Sequence, residues 1–253
     1  MILLHRENFS LTINIVSQKP KTIGILGGSG PIAGANVYIR TLRYAQLKYH
    51  AVQDCDFPTT ILYSLPLEGF TEKGIIENNT VKKQFKSGLS VLQNAGSEVI
   101  IIACNTLHTY LTEVKNDLAV PILDIISLTV EEVVSSGAQI VGVVASETSY
   151  KKQLFGNFLR PEGIEVLEVD DMTQSDLNDI ILHVMGGNYS VKDNQKFLKI
   201  INSLVARGAE AVIIGCTELS IVAEQVKSVV KLHDSANIIA KAAIDYSMKD
   251  IKK

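Results

Sequence analysis

Four short aliphatic runs rich in β-branched residues, Thr22–Leu26, Val99–Ala103, Gln139–Ala145 and Ala211–Ile214, punctuate a chain whose other stretches are mixed in polarity. Each run is continuous rather than alternating, which predicts strands covered on both faces, as in a parallel sheet. Between them apolar residues recur at helical spacing, as in Val81 to Ala95 and Phe197 to Ala206. Strands separated by helices in this way predict an α/β fold with a largely parallel sheet.

The pattern repeats. Ile23-Gly24-Ile25-Leu26-Gly27-Gly28 resembles Val141-Gly142-Val143-Val144-Ala145-Ser146, and the frame ending in Cys104 recurs at Cys216. Two similar halves follow, and Pro121, between Leu118–Val120 and Ile122–Ile126, marks the crossover. Ile238, Ile239, Ala242 and Ala243 lie at helical spacing in a late segment expected to return to the first half. The expected organisation is an N-terminal extension over 1–20, a discontinuous first α/β domain over 21–122 and 228–253, and a second over 123–227. A cleft between the domains would hold the site.

Composition narrows the function. With 253 residues, 46% of them hydrophobic, the chain can build one large or two modest cores. A net charge of −3, with Lys and Arg dispersed, gives no electrostatic footprint for nucleic acid, so a small molecule is the expected partner. No run approaches the length of a membrane span, and Met1 to Pro20 lacks the apolar stretch of a signal peptide. Cysteines 55, 104 and 216 show no CxxC spacing and no neighbouring histidine set, which argues against structural zinc and a disulfide scaffold. Free thiols suit a cytoplasmic location.

The repeated cysteine frame is the strongest chemical signal. Ligands of open parallel sheets bind at the carboxyl ends of strands, where Cys104 and Cys216 are expected to arrive from separate strands. Two thiols facing one carbon can remove a proton from one side and supply one to the other. If each sits at the N-terminus of a following helix, its pKa falls from about 8.5 toward neutrality. Cys55, between Asp54 and Asp56, has neither strand nor positive field and reads as a bystander.

Gly28, Gly30 and Ala33 formally fit a dinucleotide fingerprint, but no acidic residue stands where the ribose would need it. The turn suits a carboxylate bound by backbone N–H groups, or simply lets helix and sheet pack closely. Asn105, Thr106 and Thr217 read equally as helix caps and as ligands for an α-carboxylate or α-amino group. Glu218 reads as an acceptor for a substrate ammonium or as a first-turn carboxylate. His108, one turn beyond Cys104, is an auxiliary candidate, although a lone helical histidine is more often structural.

Gly27-Gly28-Ser29-Gly30-Pro31, Cys104-Asn105-Thr106-Leu107-His108 and Gly215-Cys216-Thr217-Glu218 together resemble, in order and spacing, the motifs of the cofactor-independent aspartate/glutamate racemase family. Thr217-Glu218 is similar to the aspartate racemase branch. The resemblance covers roughly 21 to 250. It implies two α/β domains related by pseudo-twofold symmetry, frequent homodimers, no cofactor, Cys104 and Cys216 as the acid/base pair, and an acidic amino acid, aspartate before glutamate, as substrate. Gly28, Ser29, Asn105, Thr106, Thr217 and Glu218 become expected substrate contacts. Two departures concern the side-chain carboxylate: Lys73 is the nearest cation where the family carries Arg, and Met185 stands where it carries Lys. Relatives on the same fold supply an alternative, a dicarboxylate cis–trans isomerase or decarboxylase. A nucleotide-binding or ligand-sensing module using the glycine turn is another.

Overall fold

The computed structural model describes residues 19–71, 74–114, 117–249 and 251. Lys73 and nearly all of the expected extension over 1–20 lie outside the described residues.

The first half runs β1 (Ile23–Gly27), α1 (Pro31–Tyr49), β2 (Thr60–Ser64), a hairpin of β3 (Phe70–Thr71) and β4 (Gly74–Ile75), α2 (Asn78–Asn94), β5 (Val99–Ile102) and α3 (Leu111–Val114). The second runs α4 (Ile125–Ser136), β6 (Ile140–Ala145), α5 (Glu147–Lys151), α6 (Gly156–Leu159), β7 (Glu165–Glu168), α7 (Asp171–Gly186), α8 (Val191–Ala206), β8 (Ala211–Gly215), α9 (Thr217–Ala223), β9 (Lys231–Asp234) and α10 (Ser235–Met248). The four predicted strands are β1, β5, β6 and β8, each within one residue of the expected bounds at either end.

The sheets are parallel, ordered β2-β1-β5 and β7-β6-β8-β9. In each, the first strand of its half is central, flanked by the second and third. A bridge from Ile122 to Ile100 places the Pro121 segment beside β5, where β9 lies beside β8. β1, β5 and β8 are buried along their whole length, which explains their uninterrupted apolar sequence. Each fully buried Ile or Val contributes on the order of 1.5–3 kcal/mol.

The return to the first half comes later than residue 228. β9 pairs with β8 in the second sheet, and the helix after it, α10, packs on α1 and β5. Conversely α4, which leaves the first half, packs on α6 and β9, and the two helices pack on each other. Both start alike: Asp124 accepts from the N–H groups of Ile126 and Ser127, and Asp234 from those of Ala236 and Asn237. This exchange makes one core from both halves, with Ile25 and Ile101 in the same cluster as Val141 and Ile213.

Candidate active site

The carboxyl ends of β1, β5, β6 and β8 converge on a cavity of about 110 Å³, where about 10–15 Å³ admits a water. Its lining includes Gly28, Ser29, Cys104, Asn105, Thr106, Cys216, Thr217 and Glu218, all of the expected catalytic and substrate-contact residues. Both sulfurs are buried, at 8% and 5% residue exposure.

The glycine turn is shaped by neighbours rather than by a phosphate. Gly28 has φ +104° and a Cβ there would lie 2.1 Å from the Leu65 carbonyl oxygen. Gly30, at φ +87°, would put its Cβ 1.6 Å from Oε1 of Glu218. Thus the second half's carboxylate occupies the space that Gly30 leaves open. A phosphate on this turn would meet a negative charge, which disfavours the nucleotide reading.

Hydrogen bonds stitch the halves together around the cavity. Thr217 Oγ1 lies 3.2 Å from the Ala103 carbonyl oxygen and equally far from Glu218 Oε2, its one proton serving either, and Asn105 Nδ2 donates to Ser235 Oγ at 3.1 Å, which in turn donates to the Ile214 carbonyl at 2.8 Å. Thr106 Oγ1 lies 2.9 Å from Ser146 Oγ and 3.3 Å from Ser149 Oγ. Asn105 Oδ1 is buried without a hydrogen-bond partner among the described residues, and Ser29 Oγ is held by no oxygen or nitrogen but lies within reach of the Cys104 thiol, whose pKa it lowers. Unpaired buried polar atoms in a cavity wall are free to bind a ligand without first breaking an internal bond.

The electrostatics reverse the expected poise of the thiols. Cys216 caps α9, but Cys104 is followed by a 3₁₀ turn over Thr106–Tyr110 and has no α-helix directly behind it. Burial, then the charge of Glu218, pushes the Cys104 thiol up to about 12, against the pull of the Leu107 and Thr106 N–H groups. Cys216 is raised well above its ordinary value by the same burial and the same carboxylate. Desolvation outweighs the field of a short helix. Glu218 is itself raised by burial, opposed by bonds from the Cys216 thiol at 3.1 Å and the Thr217 hydroxyl at 3.2 Å.

His108 does not line the cavity. Its Nε2 accepts from the Ile125 N–H at 3.3 Å, so Nδ1 carries the proton and donates to the Cys104 carbonyl at 2.9 Å. Burial lowers its pKa, against the nearby Asp124 charge, and a neutral imidazole fits both bonds. It fixes the end of β5 to the start of α4, the structural part that a lone helical histidine more often plays.

The sequence reading missed Ser146, Leu67, Phe70 and Ile181 in the wall. Ser146 was detectable, because the internal repeat aligns it with Gly28. The others lie in the hairpin approach and on α7, where nothing local marks a ligand contact. Among the described residues no cluster of His, Cys, Asp or Glu could hold a metal, and no helix is long and apolar enough to cross a membrane.

The family model for Asp/Glu/Hydantoin racemase matches residues 26–243. The chain belongs to that family. Its relatives include the broad specificity amino-acid racemase RacX of Bacillus subtilis (strain 168), 28% identical over 222 residues, covering 88% of this chain and 96% of the relative. An aspartate racemase homologue from Pyrococcus horikoshii OT3 superposes with a TM-score of 0.74 at 26% identity, over 90% of this chain and 99% of the other. The Picrophilus torridus aspartate racemase shares the fold, with a TM-score of 0.78 at 23% identity, over 92% and 96%. Family membership supports an amino-acid racemase.

Proposed function

We propose that the protein racemises a free amino acid by two-base proton transfer between Cys104 and Cys216. The observation that carries this reading is the pair of buried thiols lining one cavity from the ends of β5 and β8. In one direction a thiolate takes the α-proton while the opposite thiol gives its proton to the other face of the α-carbon. The sulfurs then exchange protonation states. Two groups are needed, since one base returning its own proton to the same face would preserve configuration. Retention of both thiols in the wall favours this over a decarboxylase, which requires a single proton donor.

At rest neither sulfur is ionised, because burial opposes it, and the negative charge of the centre sits on Glu218. The Cys216 thiol already donates to that carboxylate at 3.1 Å. Moving the proton along this bond leaves a thiolate and a neutral carboxyl, with no change in net charge. An incoming α-ammonium stabilises the single negative charge wherever it resides. The α-carboxylate is provided for by Ser29 Oγ and by the backbone N–H groups of the glycine turn, which also stabilise enolate-like charge as the α-proton leaves.

An acidic amino acid needs a further cation for its second carboxylate. The described residues of the cavity wall include none, and Lys73 lies outside the described residues. The homodimer implied by the family is checked by sedimentation of the purified protein. Racemisation is tested by incubating it in D2O with single enantiomers, without added cofactor, and following α-deuterium and optical inversion together. Deuterium gained with inversion is expected; its absence from every amino acid tried would reject the proposal.

A further inference from the structure

The wall of the cavity divides into two parts. Its floor is polar and buried: Ser29, Asn105, Thr106, Thr217 and Glu218, together with the thiols. Among the described residues its rim is mainly apolar, made by Pro31, Leu67, Phe70, Ile181 and Met185 from the start of α1, the β3–β4 hairpin and its approach, and α7, with Thr71 its polar member. Pro31 and Met185 are exposed and Leu67 and Phe70 are half-buried, so this part faces the entrance.

Building on the racemase reading, three substituents of the substrate's α-carbon are accounted for at the floor: the proton between the sulfurs, the carboxylate and the ammonium. The fourth, the side chain, must leave through the rim. We propose that the rim selects neutral amino acids with an extended apolar side chain, of the methionine or leucine kind, over aspartate and glutamate. A carboxylate there would lose hydration against Leu67, Phe70 and Met185 and would face the Glu218 charge at the floor. An aliphatic chain instead buries surface that is otherwise wet, with each added methylene worth roughly tenfold or more in discrimination. The flexible thioether of Met185 can repack around chains of different shape.

The test compares kcat/KM for α-deuterium incorporation among L-methionine, L-leucine, L-norvaline, L-aspartate and L-glutamate, using the full chain. The neutral substrates are expected to exceed both acids by at least ~10-fold. Met185→Lys restores a cation at the rim and should shift the aspartate-to-methionine ratio toward aspartate by at least ~10-fold. An acid that matches or exceeds the neutral substrates, as it would if Lys73 reached the cavity, overturns the side-chain proposal and leaves the racemase reading standing. An unchanged ratio in Met185→Lys also overturns it. Exchange in none of the five removes both.

Discussion

Glu218→Gln separates the two tasks assigned to this carboxylate, raising the thiol pKa values and supplying the negative charge of the reaction centre. The Cys104 thiol stands at about 12 against an ordinary 9.0, which corresponds to about 4 kcal/mol of disfavoured thiolate at ~1.4 kcal/mol per unit. Burial is the larger cause and Glu218 the second, so the glutamine variant recovers part of this rise and leaves the rest. At pH 8 a thiol with a pKa of about 12 is ionised in roughly one molecule in ten thousand. Every unit recovered multiplies that fraction about tenfold. Alkylation by iodoacetamide, followed for each cysteine by peptide mass spectrometry across pH, reads this directly, because the thiolate is the nucleophile. Glu218→Gln should alkylate at Cys104 faster than the parent at pH 8, yet racemise at least ~100-fold more slowly, the lower range for loss of a positioned proton-transfer group. Slower or unchanged alkylation would refute the electrostatic role, and retained turnover would refute the catalytic one.

Single Cys104→Ser and Cys216→Ser variants should each lose racemisation by ~100-fold or more. The surviving thiol should still exchange deuterium into one enantiomer without inverting it, a different one in each variant; equal exchange of both enantiomers by either variant would defeat the two-face arrangement. Activity should fall with acid as Glu218 takes up a proton, at a pH above the ordinary carboxylate range because burial raises this group; a kcat/KM profile whose acid limb survives in Glu218→Gln would contradict that. The same buried carboxylate makes the fold more stable below its unfolded pKa and less so as pH rises through its higher folded value, so Glu218→Gln should melt above the parent at neutral pH and approach it in acid. Gly30→Ala would force a methyl to 1.6 Å from Glu218 Oε1 at φ +87°, and should cost at least about 1–2 kcal/mol in urea unfolding as well as activity. Arg40, 5% exposed, donates to the Ser220 carbonyl at 2.9 Å and to Asp234 at 2.7 Å, so Arg40→Met should destabilise by about 3–5 kcal/mol.

What was legible in the sequence was whatever a local pattern encodes. The continuous apolar character of β1, β5, β6 and β8 announced buried parallel strands, and the repeated cysteine frame announced where two of them end. β7, whose Glu165–Glu168 holds only two apolar residues between carboxylates, and β9, whose Lys231–Asp234 is mostly polar, carry no such run, because each is an edge strand that is less completely covered. The late return of the chain was hidden for that reason: without β9, nothing showed that the second sheet gains a strand before α10 leaves it. The apolar rim was hidden differently, since Leu67, Phe70 and Ile181 look like ordinary core residues until the hairpin and α7 meet.

The thiol poise shows why motif position alone misleads about reactivity. A cysteine before a helix suggests an activated thiolate, and that inference holds where the sulfur stays near solvent. Here the halves exchange α4 and α10, bonds such as Thr217 to Ala103 close the floor, and both sulfurs become buried beside a carboxylate. The closure that places two thiols in one wall is therefore what keeps them protonated. Since the thiolate is the oxidisable form, such a centre is guarded against oxidation while empty. In the proposed mechanism the raised carboxyl of Glu218 makes the arrangement workable: an acid and a thiol that are both poor at holding charge can pass one between them over 3.1 Å, and a substrate ammonium would stabilise the charge in place.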